Sequence, residues 1–232
     1  MNYFFIFAGP NGSGKSTVIG NFAASPFSFY DSDDALYINA DYYAKLDPVV
    51  KAMSEGREKD LAAWHGTNAW RTKALRDGHH NIKWETVFSH PGRLDVIREA
   101  KELGYFVILV YVTTIDPAIN VERVQMRAAQ GGHNVPEETI RSRYERSVKL
   151  LPDMLDLADE ALVYDNSYHK SPPGLIFGKI GGEYMVLNRD KMDAALFSWV
   201  RRNLVEPLEE KSRVCLVLNE EISNLFIRDH YP

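Results

Sequence analysis

Three features of the chain predict a three-layer α/β fold, with helices on both faces of a central parallel sheet. Apolar runs without clean alternation recur at Tyr3–Ala8, Leu36–Ala40, Asn81–Val87, Tyr105–Val112 and Ala161–Asp165, the pattern of strands buried on both faces. Helical patterns fill the gaps between them. The first strand also runs directly into Gly9-Pro10-Asn11-Gly12-Ser13-Gly14-Lys15-Ser16-Thr17, a glycine-rich turn opening a helix. Strands alternating with helices in this way build a doubly wound sheet, whose ligands sit at the carboxyl ends of the strands.

The elements follow in order. Gly9, Gly14, Lys15 and Ser16 have the spacing of a phosphate-binding loop, with Gly12 as a third freely turning position. Converging backbone N–H groups require small residues, and a helix expected over Ser16–Ala24 adds its N-terminal partial charge. Residues 9–17, including Pro10, Asn11, Ser13 and Thr17, are therefore the candidate nucleotide contacts, Lys15 reaching the outer phosphates and the Ser16 hydroxyl a Mg²⁺ ion. Asp31, Asp33 and Asp34 read as a solvated turn.

The second strand closes on Asp41, beside the expected γ-phosphate position. A carboxylate there can take the proton of a substrate hydroxyl, and it can also cap the helix that follows. Residues 57–78 are helix-like and polar, and their Trp64 and Trp70 read as packing residues. Glu85 lies in the apolar run Trp84-Glu85-Thr86-Val87, where an unpaired carboxylate would be costly. It is expected to face a polar pocket, holding substrate hydroxyls or water-bound Mg²⁺, with a structural ion pair as the alternative.

A helix over Gly92–Leu103 follows the turn His90-Pro91-Gly92, and another starts at Pro117 behind the N-cap Asp116. The latter places Asn120, Arg123, Arg127 and Gln130 along one side. Gly131-Gly132-His133-Asn134 forms a joint, in which His133 could touch phosphate or cap the hinge. The next helix begins at Pro136 and carries Ile140, Tyr144, Val148 and Leu151 up to Pro152, together with Arg141, Arg143 and Arg146. Arginines so arranged suit a lid closing over a triphosphate; the alternative is a solvated hairpin pairing them with Glu122, Glu137, Glu138 and Glu145.

Beyond Ser167 the texture changes. Leu175–Leu187, broken by Gly181-Gly182, predicts a β-hairpin, and Lys191–Leu204 a helix. The division is a domain over residues 1–167 and a C-terminal appendage over 168–232 packed on it.

With 232 residues, 45% of them hydrophobic, the chain can bury a full core. A net charge of −5 disfavours nucleic acid as the main partner. Cys215 alone cannot form an intrachain disulfide or a multi-cysteine metal site, and its apolar setting makes it a buried small hydrophobe. The opening apolar run is too short to span a membrane, so a cytoplasmic protein is expected.

Taken in order, Ala8–Thr17, Asn39-Ala40-Asp41, Glu85-Thr86, Arg123 with Arg127, Gly131–Glu137, Arg143-Tyr144 and Asp165-Asn166-Ser167 resemble the zeta toxin family of P-loop kinases, in particular its chromosomal branch often labelled a predicted ATPase. The resemblance spans residues 3–167. It implies a three-layer P-loop NTPase of the kinase type, with a helical arginine-bearing lid and a C-terminal β-hairpin and helix appendage. It further implies ATP or GTP as donor, Mg²⁺ as cofactor, and a nucleotide sugar such as UDP-N-acetylglucosamine as hydroxyl acceptor. By position, Lys15 and Ser16 match the nucleotide and metal contacts, Asp41 the catalytic base, and Glu85 with Thr86 and Arg123 the acceptor side. Arg127 matches one catalytic lid arginine, and the second is Arg141 or Arg143. Any neutralising antitoxin would be a separate polypeptide. An ABC-like ATPase shares the loop, but no Leu-Ser-Gly-Gly signature or apolar strand ending in Asp-Glu is present. A polynucleotide end kinase shares the loop, the aspartate and the lid, and is disfavoured by the acidic balance.

Overall fold

The computed structural model describes residues 1–22, 35–131, 135–168 and 171–230. The expected end of the first helix beyond Phe22, the turn at Asp31, Asp33 and Asp34, and Gly132, His133 and Asn134 of the joint lie outside the described residues. The chain runs β1 (Asn2–Ala8), α1 (Lys15–Gly20), β2 (Leu36–Ile38), α2 (Ala40–Leu46), α3 (Pro48–Ala52), α4 (Arg57–Arg76), β3 (Asn81–Thr86), α5 (Leu94–Glu102), β4 (Tyr105–Thr113), α6 (Pro117–Ala129) and α7 (Glu137–Leu157). It continues with β5 (Glu160–Asp165), β6 (Gly174–Ile180), β7 (Glu183–Val186), α8 (Ala194–Val200), α9 (Glu206–Glu210), β8 (Cys215–Val217) and α10 (Glu220–His230).

The eight strands among the described residues form one sheet in the order β2-β3-β1-β4-β5-β6-β7-β8. Strands β1 to β5 are mutually parallel, β6 is antiparallel to β5 and β7, and β8 runs parallel to β7. The apolar runs are explained by burial on both sides: Phe4 to Ala8 and Val107 to Val112 have no exposed surface. Alternate residues divide between two faces. Phe4, Ile6, Leu109 and Tyr111 pack under Ile97 of α5, Val148 and Leu151 of α7 and Trp199 of α8. Phe5, Phe7, Ile108 and Val110 pack with Val18 and Phe22, and Phe226 and Ile227 of α10 lie against the same cluster. Each such side chain contributes roughly 1.5–3 kcal/mol on burial, so the sheet is a stiff platform for what its carboxyl edge carries.

Among the boundaries that differ from the expected ones, three have a clear physical cause. The second strand stops at Ile38, because Asn39 caps a helix: its side chain accepts from Asp41 N and Tyr42 N. Asp41 therefore stands in the first turn of α2 and does not close a strand. Helix α7 continues through Pro152 to Leu157, although a proline in a helix interior costs ~3 kcal/mol. Burial of Leu151, Met154 and Leu155, all without exposed surface, outweighs that cost. The expected helix from Lys191 begins at Ala194, where Asp193 accepts from Leu196 N, and passes through a π-helical stretch, Arg201–Val205, into α9. Pro207 has no N–H for the carbonyl four residues back, and the widened register lies directly before it.

The β6–β7 hairpin turns at Gly181 and Gly182, with φ of 59° and 85°, the two-glycine turn whose twist matches antiparallel strands. Cys215 is half-buried against the larger core cluster, and burial together with Glu209 pushes its thiol up to about 11. No helix among the described residues is long and apolar enough to cross a membrane.

Candidate functional site

Strand register brings the ends of β1, β2 and β3 together. Phe7 and Ala8 lie beside Glu85 and Thr86, and Ile38 lies beside Trp84, so Asn39 emerges next to Glu85. The turn following β1 is held in a conformation that only glycine tolerates at three places. Gly9, Gly12 and Gly14 have φ of 144°, 75° and 95°. A Cβ at Gly9 would lie 2.1 Å from Val112 O, one at Gly12 2.6 Å from Asn120 O, and one at Gly14 2.1 Å from Asn166 Nδ2.

Two asparagines clamp this turn. Asn120 of α6 donates to Asn11 O at 2.7 Å, its own oxygen accepting from Thr114 Oγ1, and Asn166 after β5 donates to Ser13 O at 2.8 Å. The cradle is thus preorganised by the helix and strand on either side. Gly14→Ala would add both left-handed strain, typically ~1–3 kcal/mol, and a clash with the Asn166 clamp. We expect this variant to bind nucleotide about tenfold or more weaker in calorimetric titration.

Lys15 opens α1 and donates to Gly9 O and Pro10 O, both at 3.0 Å. Burial of its ammonium lowers its pKa, Glu85 and Asp41 oppose that shift by their charge, and Arg127 reinforces it. The charges of three groups from three further elements therefore act on Lys15 at the mouth of the loop. Ser16 and Thr17 are exposed in the first turn of α1. Among the described residues no group of three or more His, Cys, Asp or Glu side chains could hold a metal ion. An ion at Ser16 would draw its other ligands from phosphate oxygens and water.

Glu85 is fixed by two donors on one oxygen: Tyr37 Oη at 2.5 Å and Asn39 Nδ2 at 3.0 Å. Tyr37 is kept protonated, first by burial and then by Glu85. Asn39 has two tasks, since its oxygen caps α2 while its nitrogen holds Glu85. Helix α2, which carries the exposed Asp41, is seated by Tyr42 and Tyr43 against Trp70 of α4, with the Tyr43 ring lying where Gly66 leaves room. Trp70 is thus a packing residue, whereas Trp64 remains 45% exposed.

The arginines separate. Arg127, exposed on α6, faces Lys15 electrostatically, and Arg143 Nη1 donates to Asn11 Oδ1 at 3.4 Å. Arg141 points elsewhere, forming an ion pair with Glu137 at 2.7 Å on the outer side of α7. Arg123 lies close enough to Asp165 for its charge to lower that carboxyl's pKa, against the larger upward effect of burial, and its Nη1 is buried without a partner. Thr86 is buried, its hydroxyl accepting from Phe88 N at 3.3 Å, and so supports the turn after β3, where Phe88 has φ of 52°. Lys15 thus feels the charges of Asp41, Glu85 and Arg127, Arg143 reaches the loop through Asn11, Arg141 and Thr86 are engaged by Glu137 and Phe88 N, and Arg123 keeps a buried N–H without a partner. Tyr37 takes on a site role that no spacing rule reports, and Asn120, which helical spacing sets beside the arginines, clamps the loop through Asn11 O.

A buried parallel strand, a three-glycine cradle and a lysine opening the next helix define a P-loop NTPase of kinase-like architecture. Within that class the chain belongs to the AAA domain family AAA_33, which matches residues 4–149. An uncharacterized protein of Haemophilus influenzae is 28% identical over 148 residues, covering 62% of this chain and 94% of that one. Among solved structures, the AvrRxo1-ORF1:AvrRxo1-ORF2 complex with ATP aligns with a TM-score of 0.62 and 14% identity, over 90% of this chain and 73% of that one. The PezAT chromosomal toxin–antitoxin system of Streptococcus pneumoniae aligns with a TM-score of 0.56 and 13% identity, over 88% and 79%. These likenesses concern the fold.

Proposed function

We propose that this protein is a kinase of the zeta-toxin type, transferring the γ-phosphoryl group of ATP, with Mg²⁺, to a hydroxyl of a small molecule such as a nucleotide sugar. The observation that carries this reading is the three-glycine cradle with Lys15 held at its lip by Gly9 O and Pro10 O, beside the strand end where Tyr37 and Asn39 fix Glu85. The cradle suits phosphate: side chains are excluded at Gly9, Gly12 and Gly14, and the positive start of α1 lies beneath. Ser16 would hold the Mg²⁺ ion, which supplies charge neutralisation for the phosphate oxygens. Asp41 accepts the proton of the incoming hydroxyl. Glu85, positioned by Tyr37 and Asn39, orients that hydroxyl. Lys15, Arg127 and Arg143 offset charge on the transferred group. The fold likeness to the PezAT toxin–antitoxin system supports a separate polypeptide partner.

Arg143 is assigned here as the second lid arginine because it reaches Asn11, while Arg141 is engaged by Glu137. In an ADP-release assay with a panel of hydroxyl acceptors, Arg143→Ala is expected to lower turnover about a hundredfold or more, and Arg141→Ala to stay within about threefold of wild type. The reverse order would move the assignment to Arg141. ADP release that no acceptor stimulates would argue for a hydrolase instead.

A further inference from the structure

A single chain of hydrogen bonds runs from the C-terminal part of the molecule to the cradle. Trp199 of α8 donates its indole N–H to Tyr144 Oη of α7 at 3.0 Å, and that hydroxyl donates to Thr114 O, just past β4, at 2.5 Å. The Thr114 hydroxyl donates in turn to Asn120 Oδ1, and Asn120 Nδ2 to Asn11 O at 2.7 Å. Trp199, Tyr144, Thr114 and Asn120 are all buried. Trp199 lies outside residues 4–149, the stretch matched to the family, so this link is made by a part of the chain beyond that match.

Chemistry fixes the direction of the chain at both ends. An indole nitrogen donates and cannot accept, so Tyr144 must accept from Trp199 and has its one proton free for Thr114 O. The carbonyl of Asn11 accepts and cannot donate, so Asn120 must turn its nitrogen toward the loop and its oxygen toward Thr114. An amide turned the other way would set two oxygens against each other. Buried hydrogen bonds arranged head to tail polarise one another, and a buried group left unpaired is costly, so each member holds the next in place. The far end bears on the site, because Asn11 is gripped twice: its carbonyl by Asn120, and its side-chain oxygen by Arg143, the residue next to Tyr144.

Resting on the kinase reading above, we propose that Trp199 and Tyr144 are positioning residues for the phosphate loop. Through Thr114 they set the orientation of the Asn120 amide and, through it, the backbone at Asn11. The same Tyr144 anchors the turn of α7 that presents Arg143. The C-terminal part of the chain thereby tightens the hold on nucleotide without supplying a residue to the cradle. A neighbouring buried phenol offers a matched comparison: Tyr111 Oη lies 2.9 Å from Ser147 Oγ, which donates to Val87 O, and that chain ends there, on the turn after β3.

The test is calorimetric titration of the full chain with a non-hydrolysable ATP analogue and Mg²⁺, beside the melting temperature of each variant. Tyr144→Phe and Tyr111→Phe each delete one buried hydroxyl. Tyr144→Phe is expected to weaken nucleotide binding about fivefold or more and Trp199→Phe about threefold, with Tyr111→Phe within about 1.5-fold of wild type. In an Asn120→Ala background, Trp199→Phe should have no further effect on affinity, because the link it acts through is gone. Affinity unchanged in Tyr144→Phe and Trp199→Phe, an equal loss in Tyr111→Phe, or a Trp199→Phe effect that persists without Asn120 would each overturn the positioning role and leave the kinase reading standing. Wild type that binds no nucleotide would remove that reading and this inference with it.

Discussion

Replacing Asp41 with Asn is expected to lower phosphoryl transfer about a thousandfold while leaving ATP affinity within about threefold of wild type. The substitution keeps size and removes the proton-accepting charge. The helix start should survive it, because α2 is capped by Asn39 rather than by Asp41, and Tyr42 and Tyr43 keep their seat on Trp70. The change is therefore confined to the chemical step: kcat falls, and the KM of the donor moves little. Steady-state ADP release at saturating acceptor, beside nucleotide titration of the same variant, measures both. Turnover that survives intact would take Asp41 out of the reaction and leave Glu85 as the only candidate carboxylate among the four groups at the loop.

Lys15→Met should act on binding and on rate together. Lys15 Nζ is held 3.0 Å from both Gly9 O and Pro10 O, so the ammonium is already positioned at the lip of the cradle. Its burial is unfavourable to the charged form, and Glu85 and Asp41 only partly offset that. An apolar chain of similar length removes the desolvation cost, so the melting temperature is expected to hold or rise slightly. Nucleotide binding should weaken more than tenfold, and turnover should fall about a thousandfold, the scale set by losing one preorganised charge at a transferred phosphoryl group. A stable variant that binds and turns over nucleotide normally would leave the cradle without its main cation and contradict the assignment.

Much of this was legible before any coordinates. Short apolar runs with no alternation, bounded by turn residues, read as strands covered on both faces, and the loop pattern encodes its own backbone geometry at Gly9, Gly12 and Gly14. Glu85 was conspicuous because a carboxylate in such a strand needs partners, although nothing in the sequence named Tyr37 and Asn39 as those partners. Their meeting depends on β2 lying beside β3, a matter of strand order rather than local pattern. Helical spacing alone groups Asn120 with the arginines; the packing of α6 on the loop turns it inward to clamp Asn11. Trp199 and Tyr144 stand 55 residues apart and meet only in the folded chain, which no local periodicity reports. Pro152 misled for the complementary reason: local propensity ends a helix there, and tertiary burial carries it on.

The most direct test of the central claim supplies purified protein with ATP labelled on its terminal phosphate and an extract of small metabolites. The label should move to an organic acceptor as a phosphate ester, and should fail to do so with Lys15→Met or Asp41→Asn. Label recovered solely as inorganic phosphate, at the same rate with and without extract, would contradict a transfer to any hydroxyl.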